Sequence, residues 1–280
     1  MIPAAFDYLR PQTLEEAVQL LGQHGDNAKL LAGGHSLIPA MKLRLAQPKI
    51  IIDLGRIAGL NAIHLEAGKI VVGAMATHHA IVSSALLAEK CPLLPEVARQ
   101  IGDAQVRNRG TLGGSLAHAD PAADWPAAIL ALQAEVLTLG PNGARAIAAD
   151  AFFVDLYQTA LQPGEVIREI RFPATAATVA YVKTVQRASG FAIAGAAVVV
   201  DAARKSVRVA INGVAAKAYR AMTVETKLAG QALSAANIEA AAANAADGID
   251  VLSDLHGSAE YRAHLACLDV ARALTLAAAR

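Results

Sequence analysis

The stretch Leu31–Ala46, LAGGHSLIPAMKLRLA, sets two adjacent glycines between an apolar run and helix-forming text. Arg109–Asp124, RGTLGGSLAHADPAAD, repeats the pattern of apolar lead-in, Gly-Gly pair and serine. A glycine pair permits positive φ and keeps side chains off the surface of a turn. Successive backbone N–H groups then converge into a concavity that suits an anion. A helix starting beside it adds its own free N–H groups and dipole, and Ser36 and Ser115 each add a hydroxyl. One such turn is an ordinary strand-to-helix connection. Two that match, in different parts of the chain, fit a ligand with two linked phosphates lying between them, and the purely structural turn stands as the competing reading. Neither stretch carries the Gly-Lys-Ser/Thr ending of a P-loop, and G-x-G-x-x-G is absent from both. A dinucleotide held here belongs to some other fold.

The surrounding text divides the chain. Thr13 and Glu16 have capping-box spacing before Leu14, Val18 and Leu21, which share one helical face, and Gly22 or Gly25 ends that helix. AKLLAGG reads as a short buried strand, and PKIIIDL as a strand covered on both faces. NAIHLEAGKIVVGA is a hairpin turning at Ala67-Gly68. Thr77 caps a helix through HHAIVSSALLAE, with His78 and His79 at its solvated start, and LLPEVARQIG is a further helix. Asp124 holds an N-cap position before WPAAILALQ, with Pro126 tolerated in the first turn. EVLTLGPNGARAIAA makes a second hairpin and GEVIREIRF a strand. After Pro173, VAYVKTV, FAIAGAAVVVDA and SVRVAING read as an antiparallel three-stranded meander. Helical text follows in AMTVETKLAG, SAANIEAAAANAA and SAEYRAHLACLDVARALTLAAA. The expectation is an α+β chain of two domains, 1–175 (parts 1–55 and 56–175) and 176–280.

Bulk properties exclude several classes. At 280 residues the chain buries a substantial core. A net charge of +1, from 25 basic and 24 acidic residues, gives no nucleic-acid stripe or polybasic membrane patch. Cys91 and Cys267, the two cysteines, cannot hold an iron–sulfur cluster or a Cys-based zinc site. The opening MIPAAFDYLR lacks a signal-peptide pattern, and no apolar run is long enough to span a membrane. These features point to a soluble cytoplasmic protein. No Ser-His-Asp constellation is placed in one site, and no metal site is expected.

AGGHSLIPAMKLRLAQPKIIIDLGRI and NRGTLGGSLAHADPAAD, with FDYLRPQTLEEAVQLL near the start and EYRAHLACLDVARAL near the end, closely resemble the FAD-binding medium subunits of molybdenum hydroxylases. The resemblance is to the carbon monoxide dehydrogenase type within the broader xanthine dehydrogenase family. The resemblance implies a two-part α/β FAD domain of the PCMH, vanillyl-alcohol-oxidase-like kind, followed by a smaller C-terminal domain with a three-stranded antiparallel sheet and a helical bundle. It implies FAD as cofactor and electron transfer to an external acceptor, with no catalytic side chain of the protein's own. The implied partners are a small subunit with two [2Fe–2S] clusters and a molybdopterin-binding large subunit, assembled as a dimer of heterotrimers.

Residue by residue, the family's first loop falls on Ala32, Gly33, Gly34, His35 and Ser36, and its second on Thr111, Leu112, Gly113, Gly114 and Ser115. Ser115 stands where many relatives have asparagine. Asp124 matches an acidic cofactor-binding position, and Lys183 a lysine near the flavin that would stabilise the reduced anion. His118 and Asp120 are close enough in sequence to line the cleft. Lys42, Arg44, Arg107 and Arg109 fit either phosphate neutralisation or a solvated face. The chain lacks the cysteine-rich insertion of the hydroxybenzoyl-CoA reductase branch. Two alternatives accompany this reading: a free-standing FAD-dependent oxidoreductase of the same fold, and a non-catalytic assembly protein.

Overall fold

The structure, a computed structural model, describes residues 1–175, 177–203 and 205–280. Residue 176, the first of the expected C-terminal domain, lies outside the described residues. Among those described, the small first unit is a parallel sheet, β1 (Asp7–Leu9), β2 (Ala28–Leu31) and β3 (Ile50–Asp53), in the order β1-β3-β2. Helix α1 (Leu14–His24) crosses between β1 and β2 and buries Leu14, Ala17 and Val18 beneath it. Thr13 Oγ1 accepts from the Glu16 N–H at 3.1 Å, as its capping chemistry requires. Glu16 reaches one residue further back than expected, to the Gln12 N–H at 2.7 Å. Helix α2 (Leu37–Lys42) follows the first glycine pair.

The second unit is an antiparallel five-stranded sheet built from both expected hairpins. Strands β4 (Ile63–Glu66) and β5 (Lys69–Gly73) form one, and β6 (Glu135–Gly140) and β7 (Gly143–Ala148) the other. After a short helix at Ala149–Phe152, a two-residue-tipped hairpin, β8 (Phe153–Asp155) and β9 (Gln158–Thr159), leads to β10 (Val166–Pro173), which inserts between β5 and β6. Ala67 and Gly68, both at positive φ, make the first turn. Helices α3 (His78–Ser83), α4 (Ala85–Lys90), α5 (Leu93–Arg99), α6 (Ala104–Arg109), α7 (Leu112–His118), α8 (Trp125–Ala131) and α9 (Ala149–Phe152) belong to this unit. Every residue of α8 is buried.

The last part contains the three expected strands, β11 (Thr178–Val185), β12 (Ala192–Asp201) and β13 (Ser206–Asn212), and adds a two-residue fourth, β14 (Tyr219–Arg220). Helices α10 (Met222–Leu228), α11 (Ala235–Ala242) and α12 (Ala259–Ala278) cover one face. Alternation along these strands sends Ala180, Ala196, Val198, Val209 and Ile211 towards the helices. Val179, Tyr181, Ala197, Val199 and Ala210 point the other way, into one continuous core with α8, Phe172 and the five-stranded sheet. The C-terminal sheet is therefore covered on both faces, once by its own helices and once by the preceding unit. No helix among the described residues is long and apolar enough to cross a membrane.

This shared core predicts one cooperative transition. Phe172, fully buried in it, is expected on replacement by alanine to cost about 3–5 kcal/mol of stability. In urea unfolding, far-ultraviolet circular dichroism and the fluorescence of Trp125, the sole tryptophan, should shift together to a lower midpoint without separating.

Candidate cofactor site

The two glycine stretches meet. A Cβ on Gly33 would lie 2.3 Å from the Arg109 carbonyl oxygen and 2.8 Å from the Gly110 Cα, so the first loop crosses the second backbone to backbone. Both obstacles are main chain and cannot rotate away. Gly34 has φ of +80°, in the left-handed region. Gly114 faces back, where a Cβ would be 3.2 Å from Ala32 Cβ and 2.7 Å from Thr111 Oγ1. The two loops thus form a narrow cradle with no side chain between their backbones.

Their chemistry differs. In the first loop, the N–H groups of Gly33, Gly34, His35 and Ser36 donate to nothing among the described residues. His35 and Ser36 are exposed, while Ala32, Gly33 and Gly34 are half-buried. The His35 ring turns back to the Gly33 carbonyl at 3.2 Å through Nδ1, a local bond that shapes the turn, and Ser36 makes no side-chain cap bond. In the second loop the N–H groups from Leu112 to Ser115 are already used. Leu112 N donates to Ala76 O at 3.0 Å, Gly113 N to Ala74 O at 2.9 Å, Gly114 N to Thr111 Oγ1 at 3.2 Å and Ser115 N to Thr111 O at 3.1 Å. Helix α7 begins at Leu112, so Gly113 and Gly114 sit within its first turn and not in a turn before it. Thr111 is the N-cap that moves the start upstream. Thr111 and Leu112, 4% and 0% exposed, and buried Gly113 support the cradle from beneath. Gly114 and Ser115 are half-buried at its edge.

Four unspent N–H groups on one open loop, backed by a second loop at close approach, fit a diphosphate: an anion accepts from all four without displacing an internal bond. Of the nearby cations, Lys42, Arg44 and Arg109 are exposed. Arg107 instead donates to Ile101 O at 3.0 Å and Gly102 O at 2.7 Å, closing the turn before α6.

Beneath the crossing lies a polar support that the sequence reading did not assemble. His79 is exposed, as expected of a helix start. His78 is only 4% exposed, and this overturns its placement in solvent. Its Nδ1 accepts the Trp125 Nε1–H at 3.2 Å, which leaves the ring proton on Nε2. Gly110 packs so closely on this ring that a Cβ there would be 2.7 Å from Nε2. Burial, with smaller contributions from His35 and Arg107, pulls the His78 pKa down to about 4.

Asp124 occupies the expected N-cap position of α8, but its side chain caps nothing. The carboxylate turns towards the C-terminal sheet, where Lys183 Nζ lies 3.0 Å from Oδ1 and the Tyr181 hydroxyl donates to the same oxygen. Lys183 Nζ also donates to Gln100 O at 2.8 Å and Gly190 O at 2.9 Å, and the chain closes over it to 1% exposure. Burial pushes the Asp124 carboxyl up, opposed by the Lys183 charge and the Tyr181 hydroxyl. Burial, and then the Asp124 charge, drives Tyr181 well above its ordinary value. Asn212 Oδ1 stands 3.4 Å from the Tyr181 hydroxyl. His118 is exposed and faces Tyr157 at 5.2 Å between ring centroids, and Asp120 Oδ1 accepts the Ala122 N–H at 2.9 Å. Tyr181 and Asn212 left one sequence signal, their places in the expected strands VAYVKTV and SVRVAING.

The chain matches two family models end to end: the FAD binding domain in molybdopterin dehydrogenase over residues 4–175, and the CO dehydrogenase flavoprotein C-terminal domain over 179–277. It is 44% identical to the carbon monoxide dehydrogenase medium chain of Hydrogenophaga pseudoflava, over 100% of this chain and 99% of that one. It is 39% identical to the nicotine 6-hydroxylase medium subunit of Paenarthrobacter nicotinovorans, over 99% and 98% respectively. Among solved structures, the carbon monoxide dehydrogenase from Hydrogenophaga pseudoflava superposes with a TM-score of 0.96, over 100% of this chain and 99% of the matched one, at 44% identity. Quinoline 2-oxidoreductase from Pseudomonas putida 86 gives 0.94 at 33% identity, over 100% and 99%. The fold is that of a flavin-binding oxidoreductase subunit. The chain belongs to the FAD-binding medium subunits of the molybdenum hydroxylase family, whose members are parts of multi-subunit enzymes.

The buried imidazole carries a pH prediction. Between about pH 6.5, where an unfolded histidine titrates, and about 4, where folded His78 does, the unfolded chain binds one more proton. This contribution is fully present above pH 6.5 and is lost as pH falls towards 4, about 3 kcal/mol in all. His78→Gln should flatten that part of the stability–pH curve; an unchanged slope in urea titrations across this window would contradict the assignment.

Proposed function

We propose that this chain holds FAD with its diphosphate on the N–H groups of Gly33, Gly34, His35 and Ser36, and carries electrons from the [2Fe–2S] clusters of a small partner subunit to an external acceptor. The observation that carries the reading is the set of four unspent N–H groups beside a backbone-to-backbone crossing. Bound there, FAD supplies the redox chemistry. The protein's own residues bind, shape and exclude. Gly33 admits the second loop, Gly34 turns the first, and Ser36 and Ser115 present hydroxyls at the rim. Ala32 and Gly114 are the facing walls, with Thr111, Leu112 and Gly113 beneath them. Asp124 and Lys183 act from behind the cradle.

Full-length likeness to medium chains supports a role inside a complex and weighs against a free-standing flavoenzyme. In this reading residues 1–175 carry the cofactor, residues 176–280 brace it, and a separate molybdopterin-binding subunit oxidises the substrate. The assembly is a dimer of such three-subunit units in the cytoplasm. An intact cradle weighs against a non-catalytic assembly protein.

Ser36 offers a direct test because its side chain is exposed and caps nothing. Ser36→Glu sets a carboxylate among donors meant for an anion. The variant should fold as the parent does and bind FAD at least about tenfold more weakly, read by flavin fluorescence quenching. Equal affinity would reject this loop as the diphosphate site.

A further inference from the structure

The chain leaves the second glycine loop through α7, turns at Ala119, which takes a left-handed φ of +51°, and enters α8 at Trp125. Of the five residues between, the last four, Pro121 to Asp124, are held by the C-terminal part, one after another. Gly213 N donates to Pro121 O at 2.7 Å, Ala192 N to Ala122 O at 3.2 Å, and Asn212 Nδ2 to Ala123 O at 2.9 Å. Lys183 and Tyr181 then take the Asp124 carboxylate. All of these donors lie at one end of the C-terminal sheet, on or just beyond β11, β12 and β13. The sheet is shaped for the purpose: Gly195 has no Cβ, and one there would be 2.5 Å from Asn212 Oδ1 and 2.8 Å from the Tyr181 hydroxyl.

Lys183 is the junction of this grip. An ammonium group donates three hydrogen bonds in a tetrahedral arrangement, and here it has three kinds of acceptor: the residue that ends α5, the β11–β12 turn, and Asp124. With its donors engaged and its side chain 1% exposed, it has no open face to offer a ligand. Its partner, by contrast, sits on the short segment that links α7 to α8. Removing one member of such a buried pair leaves an uncompensated charge, so neither can be lost without moving the segment.

We infer that Lys183 is a positioning residue for the cofactor cradle, acting through Asp124, and that the C-terminal domain serves this chain as a clamp that sets the second glycine loop against the first. The inference rests on the diphosphate reading of the cradle. Ligand contact and clamping differ in how their effects combine. Two residues that each touch FAD lose affinity independently, whereas two halves of one clamp lose it once.

The test uses the full-length chain, freed of flavin and titrated with FAD, as wild type, Lys183→Met, Asp124→Asn and the double variant. Each single substitution should weaken FAD binding by about tenfold or more. The double should match the weaker single within about twofold. At saturating FAD, the visible circular dichroism of the bound flavin should change alike in all three, which a loss of folded fraction alone would not produce. Multiplying losses, or unchanged affinity in Lys183→Met, would overturn the clamp. A wild-type chain that binds no FAD would instead bring down the diphosphate reading, and the inference with it. Should the charge variants fail to fold, Tyr181→Phe removes one oxygen from the same junction. It should weaken FAD by about tenfold, the scale of one hydrogen bond to a charged group, and parental affinity in that variant would equally overturn the proposal.

Discussion

The site depends on a contact between two main chains. Where Gly33 crosses Arg109–Gly110, there is no room for even one methyl group. Any larger residue would separate the first unit, with its parallel three-stranded sheet, from the second, with its antiparallel five. Each loop is anchored in its own unit. The first extends from β2, and the second is zipped onto the segment after β5 through Leu112 N to Ala76 O, Gly113 N to Ala74 O and His78 N to Gly110 O. The crossing is thus a joint between two rigid pieces, and the open N–H groups of the first loop owe their position to it. A joint made only of glycine backbone carries little restoring force of its own, because glycine is the residue most free to leave the required conformation. The rigidity has to come from what lies behind it.

Behind it are two buried polar groupings of different kinds. His78 and Trp125 form a neutral pair: one imidazole nitrogen accepts one indole proton, and the ring fills the space left by the missing side chain of Gly110. Such a pair is cheap to bury because no charge is desolvated. Asp124 and Lys183 are charged and sealed, and two ions cost several kcal/mol to take from water, repaid only where every remaining donor and acceptor is met. Here Lys183 is met by Gln100 O and Gly190 O, and Asp124 by the Tyr181 hydroxyl. A pair of leucines would pack in the same volume without that cost. What the ions add is direction, since Lys183 ties Asp124 to backbone carbonyls at two other places in the chain, Gln100 O and Gly190 O.

The parts of this arrangement that were legible in the sequence are the local ones. Thr13 and Thr77 each cap the helix that follows, because the cap is made by a backbone N–H three residues on, whereas the single helix expected through HHAIVSSALLAE breaks at Ser84, whose hydroxyl accepts the Leu87 N–H and starts a new helix. The strands of the C-terminal sheet alternate as their residues do. The first glycine loop lies where its pattern placed it. His78 and Asp124 misled for one shared reason: each stands at a helix start, where local chemistry favours solvent or a cap. Each is claimed instead by a partner far along the chain, Trp125 for one and Lys183 for the other. The start of α7 had a local signal in Thr111, which outweighed the two glycines as the place where the helix begins.

The difference between the loops also bears on why both carry glycines. In the first, glycine frees donors; in the second, the N–H groups of Leu112 to Ser115 are spent and glycine only removes bulk. A ligand seated here gains hydrogen bonds from one side and shape from the other. The side that supplies the bonds is the more exposed one, on a small unit whose separate core is held by α1, Leu60 and Val166. The side that supplies the shape is continuous with the large shared core and, through Pro121–Asp124, with the C-terminal sheet. Hydrogen bonds are then offered on the more exposed side, against a wall that is buried in the core. That division lets the donor loop settle onto an anion while the wall limits where the rest of the molecule can lie.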